Sequence, residues 1–388
     1  MNQCVFVTGA RGFLGRNLVQ AAAKRLPHTA FVLLARSDQA AEDLRSRFRW
    51  IGRDRLRIVQ GDIDQPGLGL APRESAALAS VNEVWHLAAS TSFDDREMPA
   101  IHQSNVVGTQ NVLAVARGLA NLDRFVYVST AYVAGINPGP IAEDELPSRG
   151  GFRNAYEATK WEAERAVRES SLPYTIFRPS IIMGHSRTFD PQGERRMLYG
   201  YVLGIYYSVL RECARRRIDF AHEWRRGSTL ELDLRLLGSP QATKNFVCID
   251  DVTSSILHIL DAPHVTRSYH LTSARPIDGV ALRRCLEKAL RIIKIRYARE
   301  TIENPTPLER NVMSYTAPFL PYTATPDPVW LLTNTDKALG RTHARTPMNE
   351  TMLAGLMERF MAEEVFARQT PPEALTIFPT TAAMLGAV

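Results

Sequence analysis

The first fifteen residues constrain the fold more than any other stretch of this chain. Val5-Phe6-Val7 is a short apolar run of the kind that fills a buried parallel strand. Gly9, Gly12 and Gly15 follow at once, and residues 17–24 carry a helical pattern. Strand, glycine turn and helix, in that order, is the context a dinucleotide site needs. The glycines allow a tight turn, a close approach of backbone to pyrophosphate and close packing of helix on strand. Amides at the helix start then face the phosphates. A glycine-capped surface turn is the bland alternative, and the position directly after a β-branched strand argues against it. The candidate cradle is Thr8, Gly9, Arg11, Gly12, Phe13, Leu14 and Gly15.

A second buried strand, residues 30–35, ends at Arg36-Ser37. An acidic residue near this point would bond the ribose 2′-hydroxyl of NAD. Arg36 instead suits a 2′-phosphate, and Arg11 is placed to close on the same group. NADP is therefore expected over NAD, with Asp38 the residue that keeps NAD open. Residues 56–60 form a third strand, followed by Asp62, a candidate acceptor for the adenine amino group, and Ile63. The fourth strand, 83–88, runs into Ala88, Ala89 and Ser90, small residues that let the backbone approach a cofactor. His86 reads as a packed strand histidine. The fifth strand, 124–129, ends in Val128-Ser129-Thr130. This alternation of strands and helices predicts a doubly wound parallel sheet of the α/β class, a Rossmann fold, with its ligand at the strands' C-terminal edge.

Tyr156 and Lys160 stand four apart at the head of an alanine- and glutamate-rich helix, so they share one face. A free phenol, with a pKa of about 10, is a poor proton shuttle near neutrality. A neighbouring ammonium favours the phenolate and brings that pKa toward the working range. Lys160 can also reach ribose hydroxyls of the cofactor. An isolated Y-x-x-x-K is common by chance; after a glycine-turn sheet with a hydroxyl-bearing strand end upstream it points to proton transfer.

Together the turn from Gly9 to Gly15, Asp62, Asn105, Thr130, Tyr156, Lys160 and Phe177-Arg178-Pro179-Ser180 resemble an extended short-chain dehydrogenase/reductase. The resemblance implies an active hydroxyl at Thr130 rather than Ser129, a water-ordering role for Asn105, and a nicotinamide-side loop at Pro179, Ser180 and Ile181. A narrower likeness is carried by Gly61-Asp62-Ile63, Ala89-Ser90-Thr91-Ser92-Phe93-Asp94, Met183-Gly184-His185-Ser186 and Asn245-Phe246-Val247-Cys248-Ile249-Asp250-Asp251. These stretches resemble the fatty acyl-CoA reductases and the carrier-protein thioester reductase domains. His185 and Phe189 depart from that branch, where aspartate and glycine are usual. The likeness implies NADPH-dependent reduction of an acyl thioester, on coenzyme A or an acyl or peptidyl carrier protein, to an aldehyde and conceivably onward to an alcohol. It also implies a homodimer as the candidate assembly.

Two rival readings share the fold. One is an extended short-chain enzyme for a nucleotide-sugar or a hydroxy/keto compound (an epimerase, dehydratase or ketoreductase). The other is a non-catalytic NADP sensor, which the retention of Thr130, Tyr156 and Lys160 argues against.

The organisation expected is a nucleotide-binding domain over residues 1–185, with 245–272 returning to its sheet through strands at 245–249 and 268–271. A smaller, mainly helical substrate domain takes 186–244 and 273–388. Residues 197–210, nearly all apolar or aromatic, read equally as a core helix or as a helix lining an acyl chain or touching a membrane, and are too short to span one. Residues 280–296 and 350–368 read as amphipathic helices, and 304–328 as a proline-rich loop or lid. The last dozen residues read as a loose tail. Four scattered cysteines and nine histidines show no ligand spacing, so no metal site is expected. The net charge of +6 suits anionic ligands, while the dispersal of its basic residues argues against nucleic acid. A strand starting beside Met1 leaves no room for a signal peptide, and the expected compartment is the cytoplasm.

Overall fold

The computed structural model describes residues 3–263, 265, 267–340 and 345–367. Six strands follow one another with intervening helices: β1 (Cys4–Thr8), β2 (Ala30–Ala35), β3 (Leu56–Gln60), β4 (Glu83–His86), β5 (Arg124–Val128) and β6 (Tyr174–Pro179). An edge strand, Arg267–Leu271, completes a seven-stranded sheet in the order edge strand, β6, β5, β4, β1, β2, β3. Every pairing within it is parallel. All five residues of β1 are buried, as expected of a central strand covered on both faces. On one face Phe6, Val32, Val84, Phe125 and Ile176 pack with Val112, Leu113 and Ala116 of helix Gly108–Arg117 and with Ala163 and Val167 of helix Ala155–Arg168. Helices Phe13–Arg25 and Ile249–Asp261 pack against each other. The strand order reverses between β1 and β4, which opens a crevice beyond their C-terminal ends.

The chain divides into two compact units. The first is Met1–Ser180, Ile249–Thr272 and Pro328–Arg345. Its last piece had no signal in the sequence. It is tied down by the buried Glu143 carboxylate, which accepts from the backbone amides of His270, Asn334 and Thr335 and from the Thr335 hydroxyl. Trp330 Nε1 also donates to the Ala131 carbonyl at 3.0 Å.

The second unit is Ile181–Cys248, Ser273–Asp327 and the chain from Thr346 onward. It is mainly helical, and it departs from expectation in three places. Phe246–Cys248 is indeed a strand, but it pairs with Ile181–Met183 in a separate two-stranded sheet and not with the main one. Residues 280–296 are not one helix. Helix Gly279–Leu290 stops at Arg291, which is left-handed at φ 54°, and strand Ile292–Ala298 follows, parallel to Leu230–Leu237. Ile292 and Ile295, buried three residues apart across an irregularity in the strand pairing, mimic a helical stripe. Residues 304–328 are not a loop or lid either. Thr306 and Glu309 form a reciprocal capping box that starts helix Pro307–Thr316, with Pro307 at its first position, where a missing N–H costs nothing. The proline read as a breaker is an initiator.

Helix Leu198–Arg215 carries the apolar run, and fourteen of its residues are buried. It packs against Pro307–Thr316, and Tyr199 stacks on Phe360 at 4.5 Å. Helix Glu350–Phe360 continues into a wider π-helical turn, Met361–Ala367. Arg368 and the expected tail lie outside the described residues. Among the described residues no helix is long and apolar enough to cross a membrane.

Candidate functional site

The glycine turn joins β1 to helix Phe13–Arg25. Gly9 holds φ +75°, and a Cβ there would lie 2.5 Å from the Ala88 nitrogen. A Cβ on Gly15 would fall 2.2 Å from the Gly9 carbonyl oxygen. Both positions therefore require glycine, one for conformation and contact, the other for contact. Gly12 precedes the helix and offers no side-chain cap. The first helical amides, those of Phe13 and Leu14 among them, thus lack intrahelical partners and remain available to an anion. A cradle of backbone amides with no room for side chains fits a dinucleotide pyrophosphate.

Thr8, fully buried, ends β1 and bonds the His86 Nδ1 at 2.7 Å. His86 Nε2 meets Thr109 Oγ1 at 3.0 Å, and burial holds its pKa down at about 3. It is a neutral packed histidine that ties β1 and β4 to the following helix. Ala88, Ala89 and Ser90 continue past β4, half-buried, beside the turn. Asn105 sits in a π-helical turn, Gln103–Val107, and is 1% exposed. Its Oδ1 accepts from the Ser90 amide at 2.7 Å, while its Nδ2 donates to the Ser90 carbonyl at 3.1 Å and to Thr159 Oγ1 at 3.0 Å. Asn105 thus pins the loop after β4 to the helix that carries Tyr156.

Asp62 and Ile63 follow β3. The Asp62 carboxylate accepts from the Asp64 amide, and the Ile63 carbonyl from Asn111. Arg36 is exposed at the end of β2, within electrostatic reach of Asp64. Arg11 is exposed as well, and its guanidinium is engaged by Asp43 at 2.9 Å. The structure therefore leaves Arg36 and Arg11 on different partners. Pro179 and Ser180 close β6, where the Ser180 amide donates to Leu271 O. Ile181 belongs to the second unit, where it opens strand Ile181–Met183.

Helix Ala155–Arg168 is capped by Asn154, whose side chain accepts from the Glu157 amide, and its first amide is held by Asp95 Oδ1 at 2.7 Å. Tyr156 is buried, with its ring 5.6 Å from that of Phe93. Lys160 is 2% exposed. Its ammonium donates to the Tyr127 hydroxyl at 2.7 Å and to the Val128 carbonyl at 2.8 Å, and burial pushes its pKa down to about 7. Thr130, also buried, stands two residues beyond Val128, its hydroxyl accepting from the Tyr132 amide. Lys160 thus bonds the end of β5 two residues before Thr130, and Tyr156 stands one turn before Lys160 on the same helix.

Behind them lies a buried charge cluster that motif reading missed. Glu164 is fully buried and accepts from Ser129 Oγ at 2.6 Å, Arg178 Nη2 at 2.6 Å and Arg168 Nε at 2.9 Å. Arg178 also donates to the carbonyls of Glu143 and Glu145. These guanidinium groups outweigh burial and hold the Glu164 pKa down at about 2. The engagement of Ser129 leaves Thr130 as the neighbouring hydroxyl not bound to a carboxylate. Glu164 had a signal, four residues past Lys160 on the same helix face, although nothing in sequence marks a glutamate as buried. Among the described residues no cluster suited to a metal ion is found.

Three comparisons place this geometry. A model of the Male sterility protein family, an NAD-binding domain, matches residues 7–221. The chain is 30% identical over 254 residues to fatty acyl-CoA reductase wat of Drosophila melanogaster, across 53% of this chain and 48% of that protein. It therefore spans about half the length of that relative. Among solved structures, the terminal R domain of the myxalamid PKS-NRPS pathway superposes with TM-score 0.70 at 22% identity, covering 94% of this chain and 91% of that one. UDP-glucuronic acid 4-epimerase from Bacillus cereus, solved with UDP-glucuronic acid and NAD, superposes with TM-score 0.64 at 17% identity over 93% and 100%. Both structural likenesses show the shared fold.

Proposed function

The chain belongs to the Male sterility protein family, with the fold of an NAD(P)-dependent oxidoreductase of the extended short-chain type, and on that premise we propose that it reduces an acyl thioester to an aldehyde with NADPH. The observation that carries the reading is Lys160, buried one turn after Tyr156 and anchored on the Val128 carbonyl, two residues before Thr130. The sequence match to a fatty acyl-CoA reductase supports an acyl thioester as the substrate. A dinucleotide bound there would supply the hydride that the carbonyl carbon takes up.

In this reading the hydroxyls of Thr130 and Tyr156 hold the carbonyl oxygen, where negative charge develops. Tyr156 gives that oxygen its proton, and the Lys160 ammonium keeps the phenol acidic enough to do so. The resulting hemithioacetal returns its hydroxyl proton to Tyr156 as the C–S bond breaks. Aldehyde and thiol are released, the thiolate taking a proton from solvent. Asn105, fixed between Ser90 and Thr159, orders the relay to solvent from which the thiolate takes its proton. The Gly9 to Gly15 cradle would hold the pyrophosphate, Ala88, Ala89 and Ser90 would line the cofactor, Asp62 and Ile63 would meet the adenine, and Pro179, Ser180 and Ile181 the nicotinamide. The carrier is coenzyme A or a carrier protein.

The test is NADPH oxidation followed at 340 nm against acyl-CoAs, acyl-carrier proteins, free aldehydes and nucleotide-sugars. Stoichiometric NADPH loss with trapped aldehyde from thioesters alone is expected. Turnover of a nucleotide-sugar without net NADPH loss would establish the epimerase reading instead.

A further inference from the structure

A parallel sheet has two chemically distinct ends, and the proposed chemistry uses only one. At the other end, where β5, β6 and the edge strand begin, lies a half-open cavity of about 440 Å³. That is within the size range of small-molecule sites. Arg124 is the first residue of β5, Arg267 the first of the edge strand, and Thr175 the second of β6, and all three line it. The turn after helix Ile249–Asp261 and helix Thr333–Leu339 supply the remaining walls.

The lining combines cations with apolar surface. Arg124, Arg267 and Lys337 face it together with Ile259, Val265 and the ring of Tyr269, and no aspartate or glutamate is among the lining residues. Two of the cations are ion-paired, Arg124 with Glu83 at 3.7 Å and Arg267 with Asp144 at 3.6 Å, and Arg267 also donates to Asn334 Oδ1 at 2.8 Å. Lys337 is exposed and forms no ion pair among the described residues. Arg124 is 7% exposed, and its two Nη atoms donate to the carbonyls of Leu260 and Ala262. Its Nε–H is buried, closed to solvent, and without a partner among the described residues.

We propose that this cavity binds an amphipathic organic anion, a carboxylate on a short alkyl body. The headgroup lies among Arg124, Arg267 and Lys337, and the alkyl part lies along Ile259, Val265 and Tyr269. The site is separate from the glycine turn and Thr130, which stand at the C-terminal edge of the sheet, and it does not depend on the reaction proposed above.

Isothermal titration of the full chain with sodium octanoate, inorganic phosphate and 1-octanol tests this. Octanoate is expected to bind at one site, with phosphate and 1-octanol each at least about tenfold weaker, because each offers half of the recognition. Lys337→Glu, at an exposed helix position remote from the catalytic groups, is expected to weaken octanoate at least about tenfold and to leave turnover unchanged. Lys337→Gln should fall between the two. Absence of octanoate binding overturns the inference, as does phosphate binding as tightly as octanoate. Octanoate affinity unchanged in Lys337→Glu also overturns it, since the anion then sits elsewhere, the acyl site of the proposed reaction included.

Discussion

Lys160 and Glu164, one helical turn apart, grip adjacent residues of the same strand end: Lys160 donates to the Val128 carbonyl at 2.8 Å, and Glu164 accepts the Ser129 hydroxyl at 2.6 Å. The helix that carries Tyr156 is thereby fastened to the residue immediately before Thr130. Ser129→Ala removes one of the two grips while leaving the Glu164–Arg178 pair intact. Loss of one such hydrogen bond to a charged group costs about 1.5–3 kcal/mol of stability. Turnover is expected to fall about tenfold through misplacement of Thr130, with the KM for the dinucleotide changed less than about threefold. Steady-state kinetics beside a urea melt separate the two effects, and an unchanged kcat would show that the grip does not position Thr130.

The burial of Lys160 predicts a pH dependence. Its pKa is pushed down to about 7, so its ammonium form declines as pH rises through neutrality. In the proposed reduction that ammonium keeps Tyr156 a competent acid. The value of kcat/KM, which reports groups of the free enzyme, should therefore fall above about pH 7. Lys160→Met should abolish that limb and lower kcat by about two orders of magnitude or more. A flat profile up to pH 9 in the wild type would remove Lys160 from the mechanism.

Acid stability follows from three buried groups, and the signs agree. Glu164 is held down at about 2, His86 at about 3 and His270 at about 4. In each case the unfolded chain takes up a proton at higher pH than the folded one, so stability is lost as pH falls. The histidine contributions decline from about pH 6.5 toward 3, and the Glu164 contribution from about 4.5 toward 2. Urea midpoints measured from pH 7 to pH 3 should decrease continuously. Glu164→Gln, which leaves Arg178 buried without its counter-charge, should cost about 3 kcal/mol or more at pH 7 and flatten the lower part of the curve.

Much of the sheet was legible because its strands are continuous apolar runs, and Gly9, Tyr156 and Lys160 were legible because spacing alone places them. What escaped depended on partners far away in sequence. Glu164 reads as a surface glutamate of a polar helix until Arg178, fourteen residues on, folds over it. Pro307 reads as a breaker until Thr306 and Glu309 are seen to cap each other around it. The stripe at 280–296 fits a helix and a strand equally well, and only pairing with Leu230–Leu237 decides. The segment 328–345 joins the first unit through backbone bonds to Glu143, which no hydrophobic pattern announces.

Glycine 15 offers a clean test of the cradle. Its Cβ would meet the Gly9 carbonyl at 2.2 Å, backbone against backbone, so relief requires the turn itself to open. Gly15→Ala should destabilise the protein by about 1–3 kcal/mol, the range for forced overpacking, and abolish dinucleotide binding measured by fluorescence titration. Tight NADPH binding in that variant would place the pyrophosphate elsewhere.

In the proposed preference for NADPH the larger share falls to Arg36, because Arg11 is already engaged by Asp43. That exposed pair is weak, worth about 1 kcal/mol at most, so a 2′-phosphate can compete for Arg11 without a large loss. Arg36→Ala should therefore weaken NADPH binding by about 1.5–3 kcal/mol, the contribution of a charged hydrogen bond, and leave NADH binding unchanged. Arg11→Ala should weaken NADPH by a smaller margin, since the wild type must first release Asp43. Asp43→Asn frees Arg11 in advance and should strengthen NADPH slightly. Parallel titrations of both cofactors against the three variants decide the matter: equal losses for NADPH and NADH in Arg36→Ala would refute the 2′-phosphate assignment.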